Sequence, residues 1–532
     1  MRRAIVVLVV AGVLGGSVAG ARAAGEPVDR RATTRTSEAQ RVLADARTAL
    51  RGTAADRARV SAPALRRDAT MILRDLLLVR GDLSPADRRV ADGLLARPTD
   101  GNQDPFHDGY SGPALASIRD TCTEATTSDL CVHWVEVSGD APPLADPSGN
   151  GIPDWVDTTA GVFDDVWTHE IDVLGFRPPK RDGGSTDPGP NNKLDVYLVN
   201  LRPEGLYGYC TSDDPHGRPG SAYRFWDLSA YCVIDEDFVG YPRSPLKSLQ
   251  ATAAHEFFHA SQFAYDVAED LWLMEGTATW MEDEVFDAVN DHLQFNRSSQ
   301  LRTPWIPVDQ GAGGYRYGAW IFWRFLSERF DPGIVHRVWS QADGAPGGRD
   351  LYSLTAAIAA IKSRGSSFAR AFAGFGAWNV WPAARYEEGD RYGVPRVTRT
   401  HGVTRENGGT PWSDLTLDHL SHREVAFEPR AGVRNDARLR VRIDGPAPKA
   451  GTAGTVVVRF DDGRVRFLPL HVNGHGEATR IVPFGRDAVR SATLVLTNTS
   501  TRTTCGRQTL FACQGRPRDD DQRFSYTAAL LG

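Results

Sequence analysis

The sequence lacks the excess of positive charge with which nucleic-acid-binding proteins neutralise phosphates. Its 61 Lys and Arg residues are outnumbered by 67 Asp and Glu residues, for a formal net charge of −6, and no basic stripe is interleaved with aromatic residues. It also lacks the composition of disordered, collagen-like or coiled-coil chains, because 41% of its residues are hydrophobic and 24% are charged. We therefore expect no nucleic-acid partner, and the 532 residues suffice for about three domains with ordinary cores.

Cysteine is scarce, and its spacing excludes two kinds of site. There are six cysteines, and none lies in a C-x-x-C pair, so neither a thiolate zinc site nor a redox centre is expected. The six fall into three local pairs. Because loop closure favours near neighbours and an oxidising environment keeps such bonds closed, we predict three disulfides. The predicted pairs are Cys122–Cys131, Cys210–Cys232 and Cys505–Cys513.

Long apolar runs are also missing, apart from a short one at the N terminus. Arg2 and Arg3 precede an apolar run over residues 4–14, and small residues then lead to A-R-A at 21–23. The run is shorter than the roughly 20 residues that span a bilayer, so we predict a secretory signal peptide over residues 1–23 and a secreted, extracellular protein. An uncleaved membrane anchor is the alternative, but no comparable stretch follows and no cysteine is placed for lipidation.

After residue 23 the chain divides into three parts, which together predict an α+β protein. Residues 24–118 form a helical leader, because apolar residues recur at helical spacing over 36–97 and predict two or three helices before a polar linker at 99–111. Residues 119–395 alternate between strand and helix patterns. Residues 400–532 contain short alternating segments spaced by turns, which predict an antiparallel β-sandwich. The leader is either a pro-segment that masks a site until it is removed, or a cap that belongs to the mature fold.

The predicted elements follow the hydrophobic periodicity of each part. We expect strands at 130–135, 194–199, 231–234, 439–443, 455–460, 465–472 and 492–497. We expect helices at 155–174, 248–291, 317–330, 351–364 and 366–378. No internal repeat is present, so the three parts are interpreted as different structural units.

One helical segment carries the pattern of a metal site. Residues 255–259 read H-E-F-F-H and follow a stretch of good helix formers. Positions i and i+4 lie on one helical face, so His255 and His259 can both point at one metal ion, while Glu256 reaches water that the metal activates. Two neutral imidazoles and a carboxylate base suit zinc, which lowers the pKa of water to roughly 7. The alternative is a packed core helix with hydrogen-bonded histidines.

A single acidic residue in the next apolar helix supplies the third ligand. Residues 271–282 read LWLMEGTATWME, and Glu275 interrupts a run that is otherwise expected to be buried. A buried carboxylate is costly unless it is paired or coordinates a metal, so Glu275 is the natural third ligand and the fourth position stays open. Gln262 and Tyr265 exclude the H-x-x-G-x-x-H extension of the metzincins. We expect Glu282, on the same face as Glu275, to be solvated; the alternative is that it orients a ligand histidine.

These two segments resemble those of the gluzincin metallopeptidases, the group that contains thermolysin-like proteases and a large family of zinc aminopeptidases. The aminopeptidases have a similar W-L-N-E-G-F-A segment around their third ligand. The resemblance covers residues 254–319 and implies a zincin-type catalytic domain, with a β-sheet subdomain and a helical subdomain that carries the H-E-x-x-H helix. It implies His255, His259 and Glu275 as zinc ligands and Glu256 as the general base. More loosely, the chain is similar to secreted bacterial metalloproteases whose substrates are unknown.

Two departures from the aminopeptidase pattern favour an endopeptidase. Met274 stands where those enzymes have Asn, and their G-x-M-E-N signature, which holds a free substrate amine, is not evident upstream. The resemblance also implies a tyrosine that stabilises the developing oxyanion, within a Y-x-K-G-A stretch. Here residues 315–319 read YRYGA, and alignment on Gly318 selects Tyr315, with Tyr317 as the alternative. A third interpretation is that both tyrosines only pack.

A second metal signal lies upstream, in residues 146–157. Oxygen-bearing side chains stand at positions 1, 3, 5, 9 and 12 with glycine at position 6, which is the spacing of an EF-hand calcium loop and is similar to thrombospondin type 3 repeats. Aspartate in place of glutamate at position 12 lowers the expected affinity, and the expected role of Ca²⁺ is structural. A hydrogen-bonded Asx-turn loop without metal is the alternative. The predicted calcium ligands are Asp146, Ser148, Asn150, Ile152, Asp154 and Asp157.

Together these features predict a secreted zinc-dependent endopeptidase that acts on a protein or peptide substrate, with Zn²⁺ and Ca²⁺ as metal cofactors. An open fourth position and Glu256 favour an enzyme, because structural zinc sites are normally closed by four protein ligands. The alternative from another class is a secreted binding or surface protein with a non-catalytic zinc site and a β-sandwich that binds the partner. A metal-dependent hydrolase of non-peptide substrates would use the same residues.

Overall fold

Helices make up the N-terminal leader in the computed structural model, which describes residues 30–52, 69–103, 110, 113–122, 129–182, 193–214, 225–393 and 397–532. They are α1 (Arg30–Arg51), α2 (Thr70–Val79) and α3 (Pro85–Leu94). The side chain of Ser84 accepts a hydrogen bond from the Asp87 N–H and caps α3. The predicted signal peptide lies outside the described residues, as do residues 104–109, 111 and 112 of the predicted linker.

A five-stranded sheet lies at the centre of the body, in the order β1-β2-β3-β5-β4. Strands β2 (Leu130–Trp134), β3 (Leu194–Val199) and β5 (Tyr231–Asp235) are parallel to one another. Every residue of these three strands is buried, as is usual for parallel strands covered on both faces. The two antiparallel edge strands, β1 (Arg119–Asp120) and β4 (Gly208–Thr211), were not predicted from the sequence because they are short and carry no alternating pattern.

Disulfides join all six cysteines in the predicted pairs. Cys210 of β4 lies directly opposite Cys232 of β5, and their disulfide ties the edge strand to its neighbour. The other two bonds are Cys122–Cys131 and Cys505–Cys513. Within the described ranges, every helix is too short or too polar to cross a bilayer.

Two long helices carry the metal motifs within the predicted helical region 248–291, and Glu275 lies on the second of them, as expected. They are α5 (Pro245–Tyr265) and α6 (Leu271–Val285). The chain leaves the helical conformation at Asp266, where φ is −162°, and re-enters it at Leu271. Both helices are buried on nearly all sides, which is typical of helices at the centre of a large core. Upstream, α4 (Asp154–Trp167) continues into a π-helical segment over Thr168–Val173.

Further helices pack against α6 and complete the body. Aromatic contacts dominate this packing; the ring of Trp272, for example, stacks on Trp323 with centroids 5.0 Å apart. The helices are α7 (Tyr315–Gly318), α8 (Trp320–Arg329), α9 (Gly333–Ala342), α10 (Leu354–Ser363), α11 (Phe368–Val380) and α12 (Gly389–Tyr392).

The C-terminal part is a sandwich of two sheets that share one hydrophobic core. The five-stranded sheet has the order β11-β10-β13-β8-β6 and the four-stranded sheet the order β12-β9-β16-β7. Pairing is antiparallel as predicted, except that β6 runs parallel to β8. The strands are β6 (Arg399–Val403), β7 (Gly409–Leu417), β8 (Ser421–Pro429), β9 (Arg438–Asp444), β10 (Thr452–Phe460), β11 (Val465–Pro469), β12 (Ala478–Pro483), β13 (Val489–Asn498) and β16 (Gln522–Leu531), with the short pair β14 (Thr503–Thr504) and β15 (Arg516–Pro517) beside them.

The hydrophobic core shows how these parts are joined. Leader residues such as Leu73 and Leu76 belong to the same buried cluster as the strands and helices of the body. The sandwich has its own cluster, which runs from Val403 to Ala528. The predicted α+β class is confirmed, and within it the leader packs as an integral layer of the body.

Candidate metal centre

Helix α5 places its motif between helix α6 and the edge strand β4. The strand crosses the helix closely at Gly208, where a Cβ atom would lie 2.9 Å from Thr252 Cγ2 and 3.2 Å from Glu256 Cγ. Any larger residue at 208 would therefore push the strand away from the motif. The absence of a side chain lets the backbone of β4 pass directly beside Glu256.

The structure brings the three predicted metal ligands together. His255 Nε2 and His259 Nε2 lie 3.1 Å apart, and Glu275 Oε2 lies 3.4 Å from the first and 3.6 Å from the second. All three side chains are buried, and they form a group that could hold a metal ion. The helical spacing brought the histidines together, and packing of α6 against α5 brought the carboxylate to them.

A hydrogen bond made by Nδ1 of each imidazole determines that its Nε2 atom faces the other two predicted ligands. His255 Nδ1 donates to Glu282 Oε1 at 2.9 Å, and His259 Nδ1 donates to Gln262 Oε1 at 2.7 Å. The amide of Gln262 is itself fixed, because its Nε2 donates to the carbonyl of Met274. With both Nδ1 atoms hydrogen-bonded, the two Nε2 atoms present lone pairs to one point. Histidines that bind metal ions are held in the same way, by a hydrogen bond from the nitrogen that does not contact the metal.

Two of these supporting residues were misjudged or missed in the sequence. Glu282 is buried against His255, whereas we expected it to be solvated. Gln262 entered the prediction only as evidence against the metzincin pattern. Its position three residues after His259, on the same helical face, is the signal that could have identified it.

Glu275 is a buried carboxylate whose charge needs a partner. Neither of its oxygens makes a hydrogen bond, and the side chain is 0% exposed. Burial raises the pKa of Glu275, but the two histidines outweigh it and hold the pKa well below its usual value. Arg316 Nη1 is 3.9 Å from the second oxygen. An ionised, buried group of this kind is stable only beside positive charge.

The carboxylates around His255 also favour positive charge at this site. Burial lowers the pKa of His255, but the carboxylates of Glu275 and Glu282, together with the charge of Glu256, outweigh burial and raise the pKa well above its ordinary value. Three acids thus surround two imidazoles in a nearly dry site. A cation bound between Nε2 and Oε2 atoms would meet the same electrostatic demand as a proton.

Glu256 makes a contact with the leader that the sequence did not predict. The hydroxyl of Thr70, at the start of α2, donates to Glu256 Oε2 at 2.8 Å. The same hydroxyl accepts a hydrogen bond from the backbone N–H of Cys210 at 2.8 Å. Thr70 is 0% exposed. A residue of the leader therefore sits between the edge strand and the predicted general base.

The two candidate tyrosines have different surroundings. The ring of Tyr317 lies 6.2 Å from that of His255 and lines the same small cavity as His255 and Glu256. Tyr315 lines a separate cavity. Gly318 fixes this segment, because a Cβ there would lie 2.2 Å from the carbonyl oxygen of Ser298. Of the two tyrosines, Tyr317, which the alignment had placed second, is the one that lies beside His255.

The cavity beside the motif is small, at about 20 Å³. It is lined by Tyr207, Ala251, Thr252, His255, Glu256, Glu282, Phe295 and Tyr317. That volume suffices for about one water molecule and excludes a peptide chain. A large substrate can reach Glu256 only if neighbouring segments move.

The predicted calcium loop is closed by hydrogen bonds. Asp146 Oδ1 accepts from Ser148 Oγ at 2.8 Å and from the Gly149 N–H at 2.7 Å, and Oδ2 accepts from the Gly151 N–H at 2.9 Å. The amide nitrogen of Asn150 donates to Asp157 Oδ2 at 2.9 Å. This is the Asx-turn arrangement, which was the alternative interpretation. The remaining predicted ligands lie in the same loop, where Asp154 Oδ1 accepts from the Ser148 N–H and the Ile152 N–H donates to Asn150 Oδ1.

Comparisons with known proteins give no family assignment. No protein-family model and no curated protein matches the chain. Among solved structures, it is similar to a family GH115 4-O-methyl-alpha-glucuronidase with specificity for decorated arabinogalactans, with 11% identity over 54% of this chain and a TM-score of 0.14. The match spans 38% of that enzyme's chain. A TM-score this low does not indicate a shared fold and carries no functional argument.

Proposed function

We propose that the protein is a secreted zinc-dependent endopeptidase of the gluzincin type. The observation that carries this proposal is the triangle formed by His255 Nε2, His259 Nε2 and Glu275 Oε2, whose sides measure 3.1, 3.4 and 3.6 Å. Ligands at 2.0–2.1 Å in a tetrahedron around zinc lie about 3.4 Å apart. Two nitrogen donors and one carboxylate oxygen also match the ligand set of catalytic zinc in thermolysin.

Each residue of the site has a separate role in the proposed hydrolysis. Zinc held by the three ligands would supply a Lewis acid that polarises a substrate carbonyl and lowers the pKa of water to roughly 7. Glu256, which lines the cavity, accepts the proton of the attacking water and passes it to the leaving amine. The phenol of Tyr317 donates to the oxygen on which charge develops in the transition state. Glu282 and Gln262 hold the imidazoles in the tautomer that binds metal.

The leader controls access to Glu256 in this proposal. The Thr70 hydroxyl donates a hydrogen bond to Glu256 Oε2 and so occupies a carboxylate oxygen that would otherwise accept the proton of water. The same hydroxyl also accepts a hydrogen bond from the backbone N–H of Cys210. Cys210 lies on the edge strand, to which an extended peptide could bind by strand addition. Removal or displacement of α2 would free both groups.

One experiment tests the endopeptidase proposal directly. The purified protein, before and after limited proteolysis of the leader, is given an unfolded protein as substrate, and Glu256→Gln is compared with the exposed control Glu406→Gln. We expect Glu256→Gln to lose cleavage by about 10²-fold or more and to keep its zinc, because the substitution removes the base but no ligand. Undiminished cleavage by Glu256→Gln would remove this residue from the mechanism.

A groove beside the sandwich favours the second candidate, a secreted binding protein. A cavity of about 610 Å³ lies between α11 and the strands β10 and β11. Arg329, Arg370 and Arg385 line it together with Trp378 and Phe467, and the guanidinium of Arg385 lies 4.2 Å from the Phe467 ring centroid. Such a groove suits an anionic ligand with an apolar body. Zinc-loaded protein that binds such a ligand and cleaves no polypeptide, with or without its leader, would favour this function.

Calcium remains part of the proposal as a structural ion. The loop over 146–157 is exposed on the surface, where extracellular Ca²⁺ is plentiful and even a weak site is filled. Binding would require Asp146 and Asp157 to exchange hydrogen bonds for the ion. The buried zinc site and this exposed loop are therefore proposed to differ in affinity as well as in role.

A further inference from the structure

A second group of metal-ligating side chains lies at the C-terminal end of α6. Asp283 is on the helix, His292 is on the 3-10 helix Asp291–Ser298, and Glu388 directly precedes α12. One donor atom from each of the three lies within 4.8 Å of the others, and His292 Nδ1 is 3.2 Å from Asp283 Oδ1. Two segments that are close in the chain and a third that is distant from both thus bring ligand atoms near one another.

The donor atoms of this group lack the hydrogen bonds that buried polar atoms normally have. His292 is 0% exposed, and neither of its ring nitrogens has a hydrogen-bond partner among the described residues. Within the same part of the chain, one oxygen of Asp283 and one of Glu388, Oδ1 and Oε2, also lack a hydrogen bond. A buried polar atom without a partner loses the hydrogen bonds that it makes with water in the unfolded chain. Such atoms on all three residues indicate that the group binds something that the protein itself does not supply.

The charged neighbours of the group leave one oxygen of each carboxylate unpaired and keep the imidazole neutral. Arg324 pairs with Asp283 through Oδ2 and also with Glu284, while Arg391 pairs with Glu388 through Oε1. The unpaired oxygens of Asp283 and Glu388 are therefore not those held by arginine. Burial lowers the pKa of His292 to about 3, which keeps the ring in the form that coordinates metal.

We infer that Asp283, His292 and Glu388 bind a second divalent transition-metal ion. An imidazole with two carboxylates suits zinc or manganese better than calcium, which takes oxygen ligands alone. The ion would link the end of α6 to the 3-10 helix and to the residue before α12, and so stabilise the helix that carries Glu275 and Glu282. This site is independent of the proposed peptidase activity. The competing explanation is a histidine–carboxylate pair that shares a proton and binds no metal.

Metal content of the full-length protein tests the inference. Protein is dialysed against dilute Zn²⁺, washed, and analysed by elemental mass spectrometry, and His292→Gln and Asp283→Asn are compared with the exposed control His475→Gln. We expect two zinc ions per chain in the wild type and in the control, and one in each cluster variant. A His292→Gln variant that holds as much zinc as the wild type would overturn the inference.

A second set of variants, built on His259→Gln, distinguishes the two sites and controls for misfolding. In His259→Gln, the proposed catalytic site is disabled and the second group is intact. Calorimetric titration of that variant with Zn²⁺ should show one remaining site, and adding Asp283→Asn should abolish it. If His259→Gln binds no Zn²⁺, the second site does not exist. If His259→Gln instead retains two ions, the proposed catalytic site is wrong while the second site stands.

Discussion

At the scale of single residues, the two histidines of α5 depend on neighbours that lie outside the motif. His255 needs Glu282 from α6, and His259 needs Gln262 from its own helix. The motif spacing predicts which residues share a face, because helical periodicity is a local property. It does not predict what packs against that face. Glu282 was therefore expected in solvent and is found in the core.

Glu275 is the residue whose loss should affect metal binding most directly. We expect Glu275→Ala to lower the zinc content by about one ion per chain, because the two imidazoles alone leave the ion with half of a tetrahedral ligand set. The measurement is elemental analysis of purified, folded protein. The matched control is Glu406→Ala, at an exposed glutamate in the turn between β6 and β7. Full zinc retention in Glu275→Ala would mean that the third ligand is misassigned.

At the scale of elements, the edge strand β4 and the leader helix α2 pack beside Glu256. The disulfide Cys210–Cys232 holds β4 against β5, and Gly208 lets it lie close to α5. The start of α2 then meets the strand through Thr70. None of these contacts has a local signature, because they join segments far apart in the sequence, and β4 itself is too short to show the period of a strand.

The contact between α2 and Glu256 leads to a prediction about activity. We expect Thr70→Val to raise cleavage of an unfolded protein by the intact chain by a few-fold, because valine cannot donate to Glu256 and leaves the Cys210 N–H free. Activity is compared at equal zinc content with the wild type and with Thr48→Val, a leader variant on α1. A loss of activity in Thr70→Val would show that Thr70 belongs to the working site and does not mask it.

A buried ion network shows that the end of the leader is firmly attached. Arg97 is 0% exposed and pairs with Asp182, Asp195 and Asp213 of the body. Removing the arginine alone would leave buried carboxylates unpaired, which typically costs 3–5 kcal/mol. Activation by movement of α2 therefore fits the structure better than loss of everything before residue 98.

At the scale of the whole molecule, a charged contact joins the body to the sandwich. His419 lies between Asp309 of the body, at 3.0 Å, and Asp520 of the sandwich, at 2.6 Å. Asp309 also accepts a hydrogen bond from the backbone N–H of Ala512. Burial lowers the pKa of His419, but the two carboxylates outweigh it and raise the pKa to about 10. The folded protein thus holds a protonated histidine at this junction.

The raised pKa of His419 predicts that stability declines at alkaline pH. In the unfolded chain the pKa is about 6.5, so the stabilising contribution is complete below pH 6.5 and is lost as the pH rises through 10. We expect the free energy of unfolding to fall by roughly 2–4 kcal/mol between pH 6.5 and 10 from this group. Urea unfolding of the wild type and of His419→Gln at several pH values measures it. A pH dependence as steep in His419→Gln as in the wild type would assign the effect to other groups.

The sequence by itself determined the features that depend on nearby residues. The positions of the three central strands and of most helices, the sandwich pattern, the three disulfides and the pairing of His255 with His259 all follow from spacings of a few residues to about two dozen. Each of them is set by backbone periodicity or by loop closure, which act over short stretches of chain. The α+β class could be predicted for the same reason.

Only the tertiary structure decided which distant groups meet. It placed Tyr317 rather than Tyr315 beside His255, brought Thr70 to Glu256, and assembled the group around His292. These contacts depend on how closely helices and strands pack, and that packing is set by the shapes of many side chains at once. The identity of a residue does not show which distant residue will contact it. The residues that support the site could therefore be identified only in the folded chain.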